Sequence, residues 1–136
     1  MAVVEELLRV EENGAISFGN HKLDAKTKLE DFEHGGNLYK VKTFRELTKL
    51  EKNGMFAYES EPGTTVTNFQ ETANGVSFQV EGDEDAQITV GLEDETEYTV
   101  YVDDVHVGKM KTNLGGKLSF GVELKGSGAI GVKIVK

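Results

Sequence analysis

Apolar and polar side chains alternate along most of the second half of the chain, and a two-residue period is typical of β-strands. The clearest run is segment 117–124, in which Leu118, Phe120, Val122 and Leu124 alternate with polar residues or glycine. The same pattern predicts five further strands, at 76–80, 86–92, 98–102, 105–107 and 130–134. Short strands at this spacing are typical of an antiparallel sandwich or barrel.

Tight turns divide the first half into hairpins. Asn-Gly is the strongest short hairpin signal, because both residues accept the positive φ angles of a two-residue turn. Asn13-Gly14 and Asn53-Gly54 each separate two strand-like segments, and Gly35-Gly36 separates a third pair. Segments 3–8 and 44–50 also contain apolar residues at helical spacing, which leaves a short helical cap as an alternative.

We therefore predict an all-β fold, either an antiparallel β-sandwich or two small packed β-sheets. We divide the chain into an N-terminal β-hairpin region, 1–71, and a C-terminal β-sandwich region, 72–136, and leave open that they form one continuous domain. A chain of 136 residues is long enough to bury a core in either arrangement.

The sequence contains no recognisable catalytic motif. Cysteine is absent, which excludes disulfides, thiolate metal sites and cysteine nucleophiles. Residues 126–131 match the spacing G-x-G-x-x-G, but a strand pattern follows them where a dinucleotide site needs a helix. His21, His34 and His106 are scattered, and the acidic segments do not match the calcium loop of an EF-hand. We predict a non-catalytic protein without cofactor or metal site.

Charge is segregated along the chain, whose formal net charge is −9. Thirteen acids and no Lys or Arg occur between Lys52 and Lys109, whereas segment 109–136 contains six lysines and one acid, Glu123. The acidic balance argues against a nucleic-acid partner, which favours a clustered positive surface. Two interpretations remain. The segments neutralise each other inside one fold, or an acidic surface of one copy contacts a basic surface of the next.

The second interpretation predicts a structural, self-assembling protein, hence a homo-oligomer, whose copies meet through edge strands and opposed charged faces. The expected contact residues lie in two acidic turns and in the basic segment that follows them. They are Asp83, Glu84, Asp85, Glu93, Asp94, Glu95, Lys109, Lys111 and Lys117. The two acidic turns flank one predicted strand, which holds them roughly 20 Å apart, so we do not expect them to form a single site.

Segment 98–135, YTVYVDDVHVGKMKTNLGGKLSFGVELKGSGAIGVKIV, resembles the closing strands of immunoglobulin-like and fibronectin-like accessory modules in bacterial surface and carbohydrate-active proteins. The shared pattern is a Tyr-Val strand, a turn, a strand ending in Thr, a Gly turn and Leu-Ser-Phe-x-Val-x-Leu. Asp103-Asp104 replaces the usual Asn-Gly here. The resemblance implies an Ig-like C-terminal half. It also implies an alternative function, a carbohydrate- or cell-surface-binding module, for which a phage origin is left open.

Sugar-binding modules usually stack their ligand on exposed aromatic rings. The chain has no tryptophan, and most of its tyrosines and phenylalanines occupy alternating positions that favour the core. Four rings remain candidates for an outward orientation: Tyr39, Phe56, Tyr58 and Tyr101.

As a whole, the sequence is similar to a group of short β-proteins from anaerobic Gram-positive bacteria, some of which are automatically labelled endosialidase. Enzymes that act on sialic acid generally hold its carboxylate with several arginines, since the guanidinium fork matches a carboxylate. Arg9 and Arg45 are the only arginines, so a three-arginine clamp cannot form, and we transfer no catalytic residue from this group.

The N-terminal segment lacks a basic stretch followed by an apolar one, and no apolar run approaches the length of a membrane span. We therefore expect a cytoplasmic protein without a membrane partner. Release from the cell or association with a virion remains open.

Overall fold

The computed structural model describes residues 3–136, and all regular secondary structure in this range consists of β-strands. The predicted all-β fold is therefore confirmed, and the helical interpretation of segments 3–8 and 44–50 is wrong. The strands are β1 (Leu8–Val10), β2 (Ile16–Phe18), β3 (Thr27–His34), β4 (Asn37–Phe44), β5 (Leu47–Lys52), β6 (Met55–Glu61), β7 (Thr65–Thr72), β8 (Gly75–Glu81), β9 (Ala86–Gly91), β10 (Glu97–Val102), β11 (Val105–Lys111), β12 (Lys117–Val122) and β13 (Ile130–Val135).

The strands form two packed antiparallel sheets, as expected for a β-sandwich. Sheet A has seven strands in the order β1-β2-β7-β8-β13-β10-β11, and sheet B has six in the order β12-β9-β6-β5-β4-β3. The three hairpins predicted in the first half are confirmed as β1–β2, β3–β4 and β5–β6. Each sheet contains strands from both 1–71 and 72–136.

The core lies between the inward faces of the two sheets and contains an aromatic cluster. Phe18, Phe69 and Phe78 come from sheet A and Tyr58 from sheet B, and all four are buried. The ring centroids of Phe18 and Tyr58 are 5.3 Å apart, and those of Tyr58 and Phe78 are 5.6 Å apart, both in edge-to-face contact. This geometry is favourable between aromatic rings and joins the two sheets.

Strand β7 is the element that the sequence pattern did not predict. It lies between β2 and β8 and so connects the first hairpin to the rest of sheet A. The pairing register shifts between Thr67 and Gln70, and Asn68 has a φ angle of 54°. This bulge inserts one residue between the buried Val66 and Phe69, which breaks the two-residue alternation.

The connections between the sheets decide which edge strands lie together. The short turn 112–116 leads from β11, an edge of sheet A, to β12, an edge of sheet B, so these two edges share one side of the sandwich. On the other side β1 and β3 contact each other. His34 Nε2 donates a hydrogen bond there to the Gly14 carbonyl, at 3.0 Å, across the two sheets.

Candidate interaction surfaces

The first predicted acidic turn, 83–85, is held mainly by contacts within the chain. Asp83 Oδ1 accepts a hydrogen bond from Lys22 Nζ at 2.6 Å, and this bond lowers the pKa of Asp83 below its usual value. Asp85 Oδ1 accepts the backbone N–H groups of Leu124 and Lys125 at 3.0 and 3.1 Å. Of the three predicted residues, two therefore stabilise the fold, and Glu84 is exposed.

The second predicted acidic turn, 93–95, is held in the same way. Glu93 pairs with Lys136 Nζ at 2.9 Å, and its carbonyl accepts a hydrogen bond from the Thr112 hydroxyl at 2.6 Å. The Asp94 carbonyl accepts one from the Thr96 hydroxyl, and the Glu95 N–H donates to the Asn113 carbonyl. The two turns lie at opposite ends of β9, so the structure does not bring the six predicted acids together.

The three predicted lysines do share one side of the sandwich. Lys109 and Lys111 belong to β11, and Lys117 is the first residue of β12. No acidic residue occurs from Val105 to Val122. We call β11, the 112–116 turn and β12 the lysine side.

The lysine side also exposes apolar side chains. Val105 is 64% exposed, Val107 is 51% exposed and Leu114 is 76% exposed. Sequence reasoning placed Val105 and Val107 in a strand but did not foresee their exposure, because alternation alone does not reveal that a strand lies at an edge. Val105 and Val107 lie near the start of β11 and Leu114 lies beyond its end, so exposed apolar side chains occur at both ends of this strand.

The turn that presents Leu114 is well ordered by hydrogen bonds. Asn113 Oδ1 accepts the N–H groups of Gly115 and Lys117, each at 2.9 Å. Gly116 has a φ angle of 78°, and a Cβ at this position would lie 2.3 Å from the Leu92 carbonyl oxygen. Only glycine fits there, so the turn holds Leu114 outward in a defined position.

The opposite side of the sandwich carries mainly carboxylates. Segment 5–12 contains four glutamates and one arginine, Arg9, and β3 contains Glu30, Asp31 and Glu33 with one lysine, Lys28. We call segment 5–12 and β3 the carboxylate side. Sequence reasoning assigned the acidic contact surface to the 83–95 turns and did not single out these residues. The available signals were the runs EELLRVEE and LEDFE, which become neighbours only through the sheet topology.

Strand β3 is irregular, unlike β12. Its register with β4 shifts between Leu29 and Phe32, where Asp31 has a φ angle of 56°. Hydrogen bonding from Lys28 lowers the pKa of Glu30, so this carboxylate stays charged at neutral pH. Strand β12 instead pairs with β9 over six consecutive residues without a shift. In the sheets that residues 3–136 form, neither β3 nor β12 has a second strand beside it.

His21 is the one predicted histidine with a geometry that suggests catalysis. Its Nδ1 lies 2.7 Å from the Thr65 hydroxyl, and its Nε2 lies 3.7 Å from Asp83 Oδ1. However, His21 is only 2% exposed and Thr65 only 1% exposed, so a substrate cannot reach the hydroxyl. Burial lowers the pKa of His21, which keeps the ring neutral at neutral pH. The arrangement is structural.

The remaining titratable candidates also have partners in the fold. Arg9 pairs with Glu11 at 2.9 Å, and Arg45, in the turn between β4 and β5, lies 4.0 Å from Asp24. His106 stacks edge-on against Tyr101. Over residues 3–136, no group of three His, Cys, Asp or Glu side chains is placed to hold a metal ion.

The four candidate aromatic rings divide evenly between core and surface. Tyr39 and Tyr58 are buried, whereas Phe56 and Tyr101 are partly exposed on the outer faces of the sheets. The Phe56 ring lies beneath the Lys117 ammonium at 4.4 Å, with Lys49 at 5.9 Å. These contacts link Lys117 to the outer face of sheet B through cation–π attraction.

The arrangement is suited to binding through surfaces. Two opposite sides differ in charge and present unpaired strand edges, while the buried hydroxyl and imidazole groups are enclosed. Among residues 3–136 there is no helix of the length and apolarity that crossing a bilayer would require. Comparisons of the chain with protein-family models, with curated protein sequences and with solved structures found no match.

Proposed function

We propose that this protein is a non-catalytic structural subunit that assembles head to tail, with the lysine side of one copy against the carboxylate side of the next. The observation that carries the proposal is the opposite charge of these two sides. The lysine side has three lysines and no acid from Val105 to Val122, and the carboxylate side has seven acids against Arg9 and Lys28. Opposed charge steers two surfaces together and fixes their orientation.

Strand direction supports the same arrangement. All strand pairs in sheet B are antiparallel, and β12 and β3 are the first and last of its six strands. These two edges therefore run in opposite directions. If the next copy is related by translation, its β3 lies antiparallel to β12, which is the pairing that extends sheet B across the contact.

Apolar side chains are available on both surfaces. Val105, Val107 and Leu114 project from the lysine side, while Val10 is 42% exposed beside β3. Burial of apolar area stabilises a contact by about 25 cal/mol per Å². Leu114 contributes the largest exposed side chain, and its ordered turn reduces the entropy that is lost on binding.

The same charges disfavour the symmetric alternatives. Two lysine sides repel each other, and two carboxylate sides repel each other, so copies related by a twofold axis lose the electrostatic attraction. The bulge at Asp31 and the surrounding carboxylates also hinder pairing between two β3 strands. A heterologous contact that does not close into a ring produces a filament.

Light scattering coupled to size-exclusion chromatography tests the proposal. We expect a mass that rises with protein concentration and falls as salt is added, because screening shortens the range of the attraction. A protein that stays monomeric at every concentration, or that stops at a closed dimer insensitive to salt, would overturn it. Negative-stain microscopy should show linear arrays in low salt.

A charge-reversed variant locates the contact. We expect the triple variant Lys109→Glu, Lys111→Glu and Lys117→Glu to remain monomeric. The matched control reverses Lys22, Lys52 and Lys133, which belong to neither side, and so changes the net charge equally. This control should assemble nearly as the wild type does. Equal loss in both variants would show that net charge alone matters, against the proposal.

A further inference from the structure

A shallow depression lies on the outer face of sheet A, in strands that belong to neither of the two sides described above. Its volume is about 260 Å³, and Gly131 of β13 contributes to its lining. The surrounding side chains are mostly uncharged and polar, from β7, β8, β10 and β13. They include Asn68, Gln70, Ser77, Gln79, Tyr101 and Lys133.

The strand register places these side chains in rows across the sheet. Gln70 is paired with Ser77, Ser77 with Lys133, and Lys133 with Tyr101. Gln79 is paired with Gly131 in the adjacent row. Since neighbouring strands are about 4.8 Å apart, the first row spans about 14 Å, which is long enough for a short oligosaccharide.

The polar groups of the depression are available to a ligand. In the described part of the chain, the side chains of Gln70, Ser77 and Gln79 form no hydrogen bond to another protein group. Each amide presents a donor and an acceptor, and a hydroxyl presents both. Sugar hydroxyls are donors and acceptors as well, so the chemistry is complementary.

The fold does not require a glycine at position 131. A Cβ at this position would meet no atom within 4 Å, and the pairing of β13 with β8 and β10 has no bulge. Glycine in the interior of a strand weakens the sheet and commonly marks a place where a ligand approaches the backbone closely. The missing side chain leaves the depression open between Gln79 and Tyr101.

We propose that this face binds a neutral oligosaccharide, independently of head-to-tail assembly. The amides of Gln70 and Gln79 and the hydroxyl of Ser77 bind sugar hydroxyls, and a sugar ring contacts the partly exposed ring of Tyr101. Lys133 and Asp104 are the charged residues that line the depression, and their charges are opposite. A neutral ligand therefore fits better than a strongly anionic one.

Nuclear magnetic resonance titration of the full chain with neutral hexasaccharides tests this inference. The probes are the cello-, xylo-, manno-, malto- and chito-series, each at millimolar concentration, with polysialic acid as an anionic comparison. We expect saturable shifts of the Gln70, Ser77, Gln79 and Tyr101 signals with at least one neutral probe. The absence of saturable shifts with all of them would overturn the proposal, and so would binding of polysialic acid alone.

Variants on the two outer faces supply the controls. We expect Gln79→Ala and Gly131→Val each to weaken binding at least tenfold, the first by removing a partner and the second by filling the depression. Gln87→Ala removes the same amide from the outer face of sheet B and should bind as the wild type does. Undiminished binding by both sheet A variants would overturn the proposal. Because all three substitutions lie outside β3, β11 and β12, assembly should persist in each variant.

Discussion

The carboxylate side and the lysine side of the sandwich differ in how far their edge strands are protected from pairing with another strand. On the carboxylate side β3 is bulged at Asp31, carries several acids and is joined to the β1–β2 turn through His34 and Gly14. On the lysine side β12 is regular, and the adjacent turn projects Leu114 into solvent. Bulges, charge and cross-sheet contacts are protective features of edges, and β12 itself has no bulge.

The comparison indicates that the surface charge pattern depends on topology more than on sequence order. The longest acidic stretch of the sequence, with thirteen acids between Lys52 and Lys109, is dispersed over both ends of β9 and several strands. The carboxylate side instead combines two short runs, 5–12 and 27–34, from the first quarter of the chain. Strand order in the sheets brings these runs together and places them opposite β11 and β12.

Among single substitutions, the loss of the exposed Leu114 side chain from the lysine side should have the largest effect. We expect Leu114→Asp to weaken association by about a hundredfold, since it removes an apolar contact and places a carboxylate against carboxylates. Concentration-dependent light scattering measures the effect. Met55→Asp is the matched control, because Met55 is similarly exposed, at 72%, but belongs to β6, in the middle of sheet B. An equal loss in the control would contradict the account.

Neutralising the carboxylate side should have the next largest effect. We expect the variant Glu30→Gln, Asp31→Asn and Glu33→Gln to weaken association about tenfold in low salt, and much less in high salt, where exposed charges are screened. Asparagine is chosen at Asp31 because it tolerates a positive φ angle. Salt-dependent scattering provides the measurement. An association constant that keeps the salt dependence of the wild type would argue against this surface.

Protonation of His21 should change the free energy of unfolding, while the charges of the lysine side and the carboxylate side stay the same. Burial holds the pKa of His21 below its ordinary value of 6.5, so the unfolded chain binds the proton more readily. The contribution of His21 to the free energy of unfolding should therefore be constant above its ordinary pKa of 6.5 and should decrease as the pH falls toward the lowered pKa. Chemical denaturation at several pH values measures this. The variant His21→Gln should lose the dependence in this window, and a dependence that persists unchanged would contradict the assignment.

Lys117 belongs to the lysine side and also contacts the Phe56 ring, and loss of this ring contact should have the smallest effect. Its ammonium lies over the Phe56 ring, so Lys117→Gln should lower the free energy of unfolding by about 0.5 to 1 kcal/mol. Denaturant titration measures this, and Lys111→Gln serves as the comparison, because within residues 3–136 the Lys111 ammonium lies over no aromatic ring. If the Lys111 variant is destabilised equally, the cation–π contact does not explain the loss.

Much of the fold could be predicted because local patterns report local structure. Segment 117–124 and the turns at Asn13-Gly14 and Asn53-Gly54 were sufficient to locate β12 and two hairpins. The bulge at Asn68 concealed β7, since one inserted residue cancels a two-residue period. The exposure of Val105 could not be predicted either, because a strand at the edge of a sheet has the same alternation of apolar and polar residues as a strand in the middle.

The candidate surfaces were only partly predictable for the same reason. Lys109, Lys111 and Lys117 were identified because they are close together in the sequence, and the two strands that carry them are joined by the short 112–116 turn. The carboxylate side joins residues about twenty positions apart on different sheets. Asp85 resembled a surface acid in the sequence, yet it accepts two backbone hydrogen bonds, which no charge pattern reveals.

Mixing two variants that each lack one side tests head-to-tail assembly most directly. One variant carries Lys109→Glu, Lys111→Glu and Lys117→Glu, and the other carries Glu30→Gln, Asp31→Asn and Glu33→Gln together with Leu114 unchanged. At a protein concentration near the dissociation constant of the wild-type contact, a contact about tenfold weaker is mostly dissociated, so each variant alone should be largely monomeric. The equimolar mixture, followed by light scattering, should form a heterodimer that grows no further. A mixture that remains monomeric, or one that grows beyond the dimer, would contradict the account.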